Sequence, residues 1–367
     1  EYAEDLKENW PQIWRAGGNI EGNNQYRRLL PIVRRESQEP TTDTEEMAIR
    51  KREAWSARHF EDGSQFDKTD PPSPNLSSIA GIVAQIKWFT VGELGQARMK
   101  EIIDEVKAKQ TKEKARRDLW IQYIRQFNEP AFKELNRASN AYLQGAANRY
   151  SERIEENVTP SLTKGVVDYS ALLAEDEEVR ICATIIGNVW RKWYNRTGQT
   201  ELNQILKQAG MASAEDSTIS QDGVPELINI MSRQIVRTRT NAVTKLVEDG
   251  LMNGDSIDTI AAAVENTFAF SKTAARTIAQ TESTRSTNLG AHQAYMDATS
   301  MGVRVRRQWL SARDSLVRDT HAYLDGQTVG VNENFSLPTG ESGIAPASFD
   351  EPVENYNCRC TTIPIVE

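Results

Sequence analysis

Apolar residues recur every three or four positions over most of this chain, and that period predicts helices. In EYAEDLKENWPQIWRAGG the positions Leu6, Trp10, Ile13 and Trp14 share a face, and a Gly-Gly pair ends the run, so one short amphipathic helix is expected there. QEPTTDTEE and DKTDPPSPNLSS are turn and loop chemistry, and residues 1–85 therefore read as an arm of short elements on linkers. Trp10, Trp14 and Trp55 need cover, either from a partner or from the body of the same chain. Beyond the apolar, Gly-bounded GIVAQIKWFTVGELG the helical period returns with Met99, Ile102, Ile103 and Val106, then with Leu119, Trp120, Tyr123, Ile124 and Phe127. Between those blocks, KAKQTKEKARRD is charged all round, as in a solvated helical bridge.

Asn128 is positioned to cap a helix that carries Phe132, Leu135, Tyr142, Leu143, Tyr150 and Ile154, with Pro130 in its first turn. EEVRICATIIGNVWRKWYNRTG and PELINIMSRQIVRTRTNAVTKLVEDGLMNG follow as helices, each expected to end at its glycine. Cys182, among Ile181, Ala183 and Ile185, reads as a small buried hydrophobe. Ser256 and Ser271 are expected caps for two further helices, the second with Ala275, Ile278, Ala279, Leu289, Tyr295 and Met296 apolar and a Glu282–Arg285 pair one turn apart. After Gly302 the period drops to two: Val303, Val305, Arg307 and Trp309 alternate with Arg304, Arg306 and Gln308, which predicts a strand.

Composition sharpens this picture. The 367 residues are 38% hydrophobic and 26% charged, with a mean hydropathy of -0.59. The expected fold class is mainly α, an elongated helical body with a small α+β C-terminal module, divided as 1–85, 86–255 and 256–367. No run approaches the roughly 20 apolar residues of a membrane span, and the N-terminus lacks the pattern of a signal peptide, so a soluble, non-exported protein is expected. Because Glu1 is not a methionine, a processed or truncated chain is also expected. Three cysteines, an odd number, argue against a disulfide scaffold. A net charge of -8 argues against a general nucleic-acid coat and leaves only local basic patches: Lys107, Lys109, Lys112, Lys114, Arg116 and Arg117 in one stretch, Arg304 and Arg306 in another.

The candidate chemistry lies in VRDTHAYLDGQTV and the later YNCRC. Leu316, Val317 and Leu324 at helical offsets predict a short helix ending at Asp325-Gly326, with His321 near its apolar face and QTVGV leaving as a strand. Cys358 and Cys360 in an extended strand would sit at the edge of what a disulfide can span. Together with His321 they supply three of the four ligands of a structural zinc site, Asp314, Asp319 or Asp325 being candidates for the fourth. The alternative is a metal-free clasp that ties the C-terminal strand to the helix. A Cys-His nucleophile is the third reading, against which stands the lack of a Gly-rich oxyanion turn. His59 and His292 read as structural or surface residues, and no P-loop, dinucleotide fingerprint or HExxH occurs.

ARTIAQTESTRSTNLGAHQAYMDATSMGVRVRRQWLSARDSLVRDTHAYLDGQTV, together with the final NCRC, resembles the head-morphogenesis or Mu-F-like minor head proteins of tailed phages. The matching positions are Thr281, Glu282, Trp309, Asp314, Val317, Arg318, His321, Leu324, Asp325, Gly326, Cys358, Arg359 and Cys360, over about residues 225–367; Gln280 departs from the expected Arg. With Asp319, the Asp314, Arg318, His321, Asp325, Gly326, Cys358 and Cys360 members make up the expected clasp. The resemblance implies a non-enzymatic virion protein inside the capsid at the portal vertex, present in the host cytoplasm during assembly. It would act in head assembly, DNA packaging and genome ejection, with the portal, the major capsid or scaffold protein and the genomic DNA as partners and no membrane contact in the capsid. The toxin domain that some relatives carry after their CRC is expected to be absent. The competing expectation is a zinc- or cysteine-dependent hydrolase acting on DNA or capsid proteins during maturation.

Overall fold

The structure is a computed structural model that describes residues 7–16, 26–30, 42, 44–51, 93–159, 166–211 and 217–367. Leu6, Trp55, His59, the DKTDPPSPNLSS linker and the apolar run before residue 93 lie outside the described residues, as do the side chains of Ile13 and Lys109. The chain divides into two units, Glu1–Lys114 and Ala115–Glu367.

In the first unit, helix α1 spans Pro11–Ala16, and residues 26–30 and 44–51 are also helical. Trp14 is buried and meets Tyr26 edge-on at a ring separation of 5.0 Å, so it finds cover within its own unit. Trp10 lies beneath the Lys107 ammonium, 5.4 Å from it. Met99, Ile102 and Ile103 form the buried side of helix α2 (Glu93–Tyr123), whose charged stretch is helical and mostly exposed.

The second unit takes over the last turns of α2. A π-turn, Ile124–Asn128, then leads without a break into α3 (Glu129–Asn157). Asn128 has helical dihedrals and makes no cap. The expected helix start is absent because the backbone never leaves the helical region there, and the Asn128 side chain turns inward to Thr284 and Thr287. A two-residue ladder, β1 (Val158–Thr159) with β2 (Val166–Val167), precedes α4 (Tyr169–Leu173) and α5 (Glu175–Cys182). A second π-turn, Ala183–Gly187, opens α6 (Asn188–Gln208). Helices α7 (Val224–Asn253), α8 (Ile257–Glu265) and α9 (Lys272–Ser300) follow, with the Ser256 and Ser271 hydroxyls accepting from Thr259 N and Ala274 N as caps.

α6 and α9 form the most extensive helix pair, and α3 packs on α9 beside it. This crossing explains why Gly198 does not end its helix, contrary to expectation. A Cβ on Gly198 would stand 2.6 Å from the Gly290 carbonyl oxygen, and one on Gly290 would stand 2.2 Å from that of Tyr194. The glycine is required by a neighbouring backbone, not by a turn. Gly254, with φ +73°, does close α7 as expected. One core runs from Leu135 through Trp190 and Val243 to Tyr295 and Ala345, so packing is continuous across the 255/256 boundary drawn from sequence. Cys182 is fully buried in it, and burial pushes its thiol up to about 12. Glu178, also fully buried, is gripped by Arg149 through two bonds of 2.7 Å and by Arg153 at 2.9 Å.

The C-terminal lobe is built on β3 (Val305–Leu310), which α10 (Asp319–Leu324) and β4 (Thr328–Gly330) follow. A β5–β6 ladder (Phe335–Ser336 with Ser342–Gly343), α11 (Pro352–Asn355) and β7 (Thr361–Val366) complete it. The three-stranded sheet is antiparallel in the order β4-β3-β7, with Trp309 opposite Thr362. Val303, Val305, Arg307 and Trp309 are buried as the alternation predicts. The Arg307 guanidinium donates to the carbonyls of Gly330, Glu333 and Ile344 and lies over the Phe335 ring, and burial pushes it down to about 10. Leu316, expected on the α10 face, precedes that helix and is 77% exposed.

Candidate functional site

His321, Cys358 and Cys360 converge in a small core with Trp309, Leu324, Phe335 and Phe349. Their donor atoms lie within 4.8 Å of one another. His321 Nδ1 is 3.6 Å from Cys358 Sγ and 3.5 Å from Cys360 Sγ. The three residues are 2%, 1% and 2% exposed. Trp309 meets the imidazole edge-on at 5.6 Å. On the far side of the ring, Nε2 is 3.2 Å from Glu354 Oε2, in contact although not aligned as a straight hydrogen bond. Both cysteines are free thiols. Cys360 is raised by its hydrogen bond to Cys358 and by burial, while that same bond draws Cys358 well down.

Residues 358–360 lead into β7 with both sulfurs buried, while Arg359 between them grips Asp314 through two bonds of 2.8 and 2.6 Å. Arg359 holds the Asp314 carboxyl below its usual range. Arg318 donates to the Tyr356 carbonyl. Asp325 accepts from Ser311 N at 2.9 Å and pairs with Arg313 and with Arg116, the latter at 3.4 Å. Gly326 has φ +88°, and a Cβ there would stand 2.5 Å from Arg116 Nη2, so only glycine fits this turn. Among the described residues, Asp314, Asp319 and Asp325, the expected candidates for a fourth ligand, do not join the donor cluster. Arginines occupy two of them, and Asp319 is exposed.

The sequence reading missed the support behind the thiols. Along one face of α9, Thr281 accepts from Asn357 N at 3.2 Å and Thr284 donates to the Cys358 carbonyl at 2.6 Å. Asn288 donates to the Cys360 carbonyl at 3.3 Å and accepts from Thr362 N at 3.0 Å. Tyr295 donates to the Thr362 carbonyl at 3.2 Å. The spacing 281, 284, 288, 295 is a helical stripe, visible in the sequence once polar residues are counted with the same period as apolar ones. Glu354 carries no such signal. A separate cavity of about 520 Å³ between α7, α9 and α11 is lined by Arg239, Glu282 and Arg285; the expected Glu282–Arg285 pair forms at 2.7 Å. His292 is buried on α9, which pushes it down to about 3.

The basic positions are divided between the two units. Lys107, Lys112 and Lys114 are exposed in the first; Arg117, Arg304 and Arg306 are exposed in the second. Arg116 is not a free cation, because it is tied to Asp325 and donates to the Trp309 carbonyl.

Three similarities bear on this fold and cluster. Over 219 residues the chain is 30% identical to an NAD(+)--arginine ADP-ribosyltransferase EFV of Enterococcus faecalis, covering 57% of this chain and 40% of that protein. It is 28% identical over 141 residues to the minor head protein GP7 of Bacillus phage SPP1, covering 38% of this chain and 45% of that one. It is 24% identical over 252 residues to the protein YqbB of Bacillus subtilis, covering 67% and 79%. The chain thus spans less than half the length of the first two relatives. No solved structure matches. Residues 241–363, which hold α9, most of the lobe and its buried His-Cys-Cys cluster, match the family described as Phage Mu protein F like protein.

Proposed function

We propose that this chain is a minor head protein of a tailed phage, carried inside the capsid at the portal vertex and built in during assembly in the host cytoplasm. The match over residues 241–363 carries this reading, and the likeness to a phage minor head protein supports it. In this reading the lobe is a closed clasp and α9 its backing. Asp314–Arg359 and Arg318–Tyr356 stitch the His-bearing segment to the Cys-bearing segment before β7. The chain contacts the portal and the major capsid or scaffold protein. Exposed Lys107, Lys112, Lys114, Arg117, Arg304 and Arg306 provide local contacts to genomic DNA during packaging and ejection.

The role is structural rather than catalytic. A cysteine or zinc hydrolase needs a reactive group that substrate can reach, and the three donors are at most 2% exposed. Among the described residues, no helix is long and apolar enough to cross a membrane. Particles purified from an infected culture should contain the chain in few copies at one vertex, as quantified by mass spectrometry and gold labelling. Its absence from DNA-filled heads would refute the assignment. Incubation with NAD⁺ and arginine should yield no ADP-ribosyl transfer, and a transfer that the purified chain catalyses would overturn the structural role.

A further inference from the structure

We infer that His321, Cys358 and Cys360 bind one zinc ion, through Nδ1 and the two sulfurs. The case rests on two lengths. With Zn–S near 2.3 Å and Zn–N near 2.0–2.1 Å, a tetrahedral ion sets each N···S edge at about 3.6 Å. The observed edges are 3.6 and 3.5 Å.

Hydrogen bonding alone accounts poorly for that equality. Imidazole Nδ1 offers one lone pair or one N–H, so it bonds well to one sulfur at a time, and a pair of thiols competing for it should lie at unequal distances. A shared central ion makes them equal. The donors are also the right kind, since two soft sulfurs and one imidazole select zinc over calcium or magnesium.

The surroundings match those of a metal-bound histidine. Binding through Nδ1 leaves the proton on Nε2, and Nε2 is the atom in contact with the Glu354 carboxylate at 3.2 Å. Glu354 Oε2 accepts a hydrogen bond from the Thr320 hydroxyl at 2.9 Å, which fixes its position beside the ring. Thr284 and Asn288 hold the two cysteine carbonyls from behind, so both sulfurs are preset. Binding of the ion to both sulfurs as thiolates displaces whatever thiol proton remains on the pair and changes no oxidation state. Three protein donors leave a fourth tetrahedral position, and the 1–2% exposure of the ligands keeps substrate away from it.

The test uses the full chain, purified from a zinc-supplemented culture without a metal-affinity tag. Elemental analysis should return about one zinc per chain, and cobalt exchanged into it should give a thiolate charge-transfer band and the visible bands of a tetrahedral ion. C358S and C360S should each weaken that band or abolish binding. Because those variants could fail for want of folding, Glu354→Gln supplies a second arm: it should still bind zinc, about 10–100-fold more weakly in competition with a chromogenic chelator. Wild-type protein that holds no stoichiometric zinc, and that takes up neither zinc nor cobalt after reduction and desalting, overturns the inference. Cobalt spectra without thiolate character do the same.

Discussion

Single side chains in this molecule carry charge in places where water cannot help them. Glu201 is 6% exposed, and burial raises its carboxyl to about 7, the Tyr295 hydroxyl offsetting part of the rise. The unfolded chain releases this proton near pH 4.5 while the folded chain keeps it until about 7. The group's contribution to stability is therefore fully present below pH 4.5, falls between 4.5 and 7, and is level above that, a loss of about 3 kcal/mol. Glu201→Gln should flatten this window and be more stable than the parent at pH 8, as read by urea unfolding at pH 5 and pH 8; equal slopes for the two proteins would refute the assignment. Glu178 is the opposite case, a buried carboxylate neutralised by Arg149 and Arg153. Removing it in Glu178→Ala strands the Arg149 guanidinium, leaves Arg153 with Glu177 alone, and should cost about 3–5 kcal/mol, measurable in the same assay.

Elements meet here through small residues and polar stripes. Gly290→Ala would push a methyl group into the Tyr194 carbonyl and force α6 away from α9, so a loss at or beyond the usual overpacking range of about 1–3 kcal/mol is expected. Gly210→Ala, where nothing lies within 4 Å but φ is +72°, would test backbone strain alone and should cost less. Thr284→Val removes the bond to the Cys358 carbonyl and leaves that oxygen buried, for about 1–3 kcal/mol. Caps and apolar periods were legible in the sequence at this scale, as at Ser256 and Ser271, because both ends of each interaction are local. The α6–α9 approach was not, because the residue that demands glycine at 198 is at position 290. Asn128 misled for a related reason: its side chain serves Thr287, far along the chain, instead of its own helix. The imidazole and the sulfurs could be brought together on paper because rare donor types stand out; Glu354 could not, since glutamate is common and the four-residue α11 that carries it is too short to show a period.

At the scale of the whole chain, the stretch that matches the family is not the unit that packs. Residues 241–363 begin in the middle of α7, and the buried side of α9, including Ala291, Ala294 and Tyr295, shares its core with Trp190, Tyr194 and Leu202 of α6. A fragment of residues 241–367 should therefore be molten or aggregated, whereas residues 115–367 should unfold cooperatively, with coincident transitions by far-UV and near-UV dichroism. A cooperative short fragment would mean that the lobe supports α9 without α6.

The ladder between β3 and β7 opens with Thr361 opposite Leu310, immediately after Cys360. Strand geometry has a parity, and one residue of slippage exchanges inside for outside along the whole segment. Inserting a single residue between Cys360 and that first rung would swing both sulfurs to solvent and drive the Arg359 guanidinium into the aromatic pocket; inserting two would restore their phase. Pairing register and donor placement are thus one decision in this lobe, and length changes near the terminus should be tolerated only in even steps.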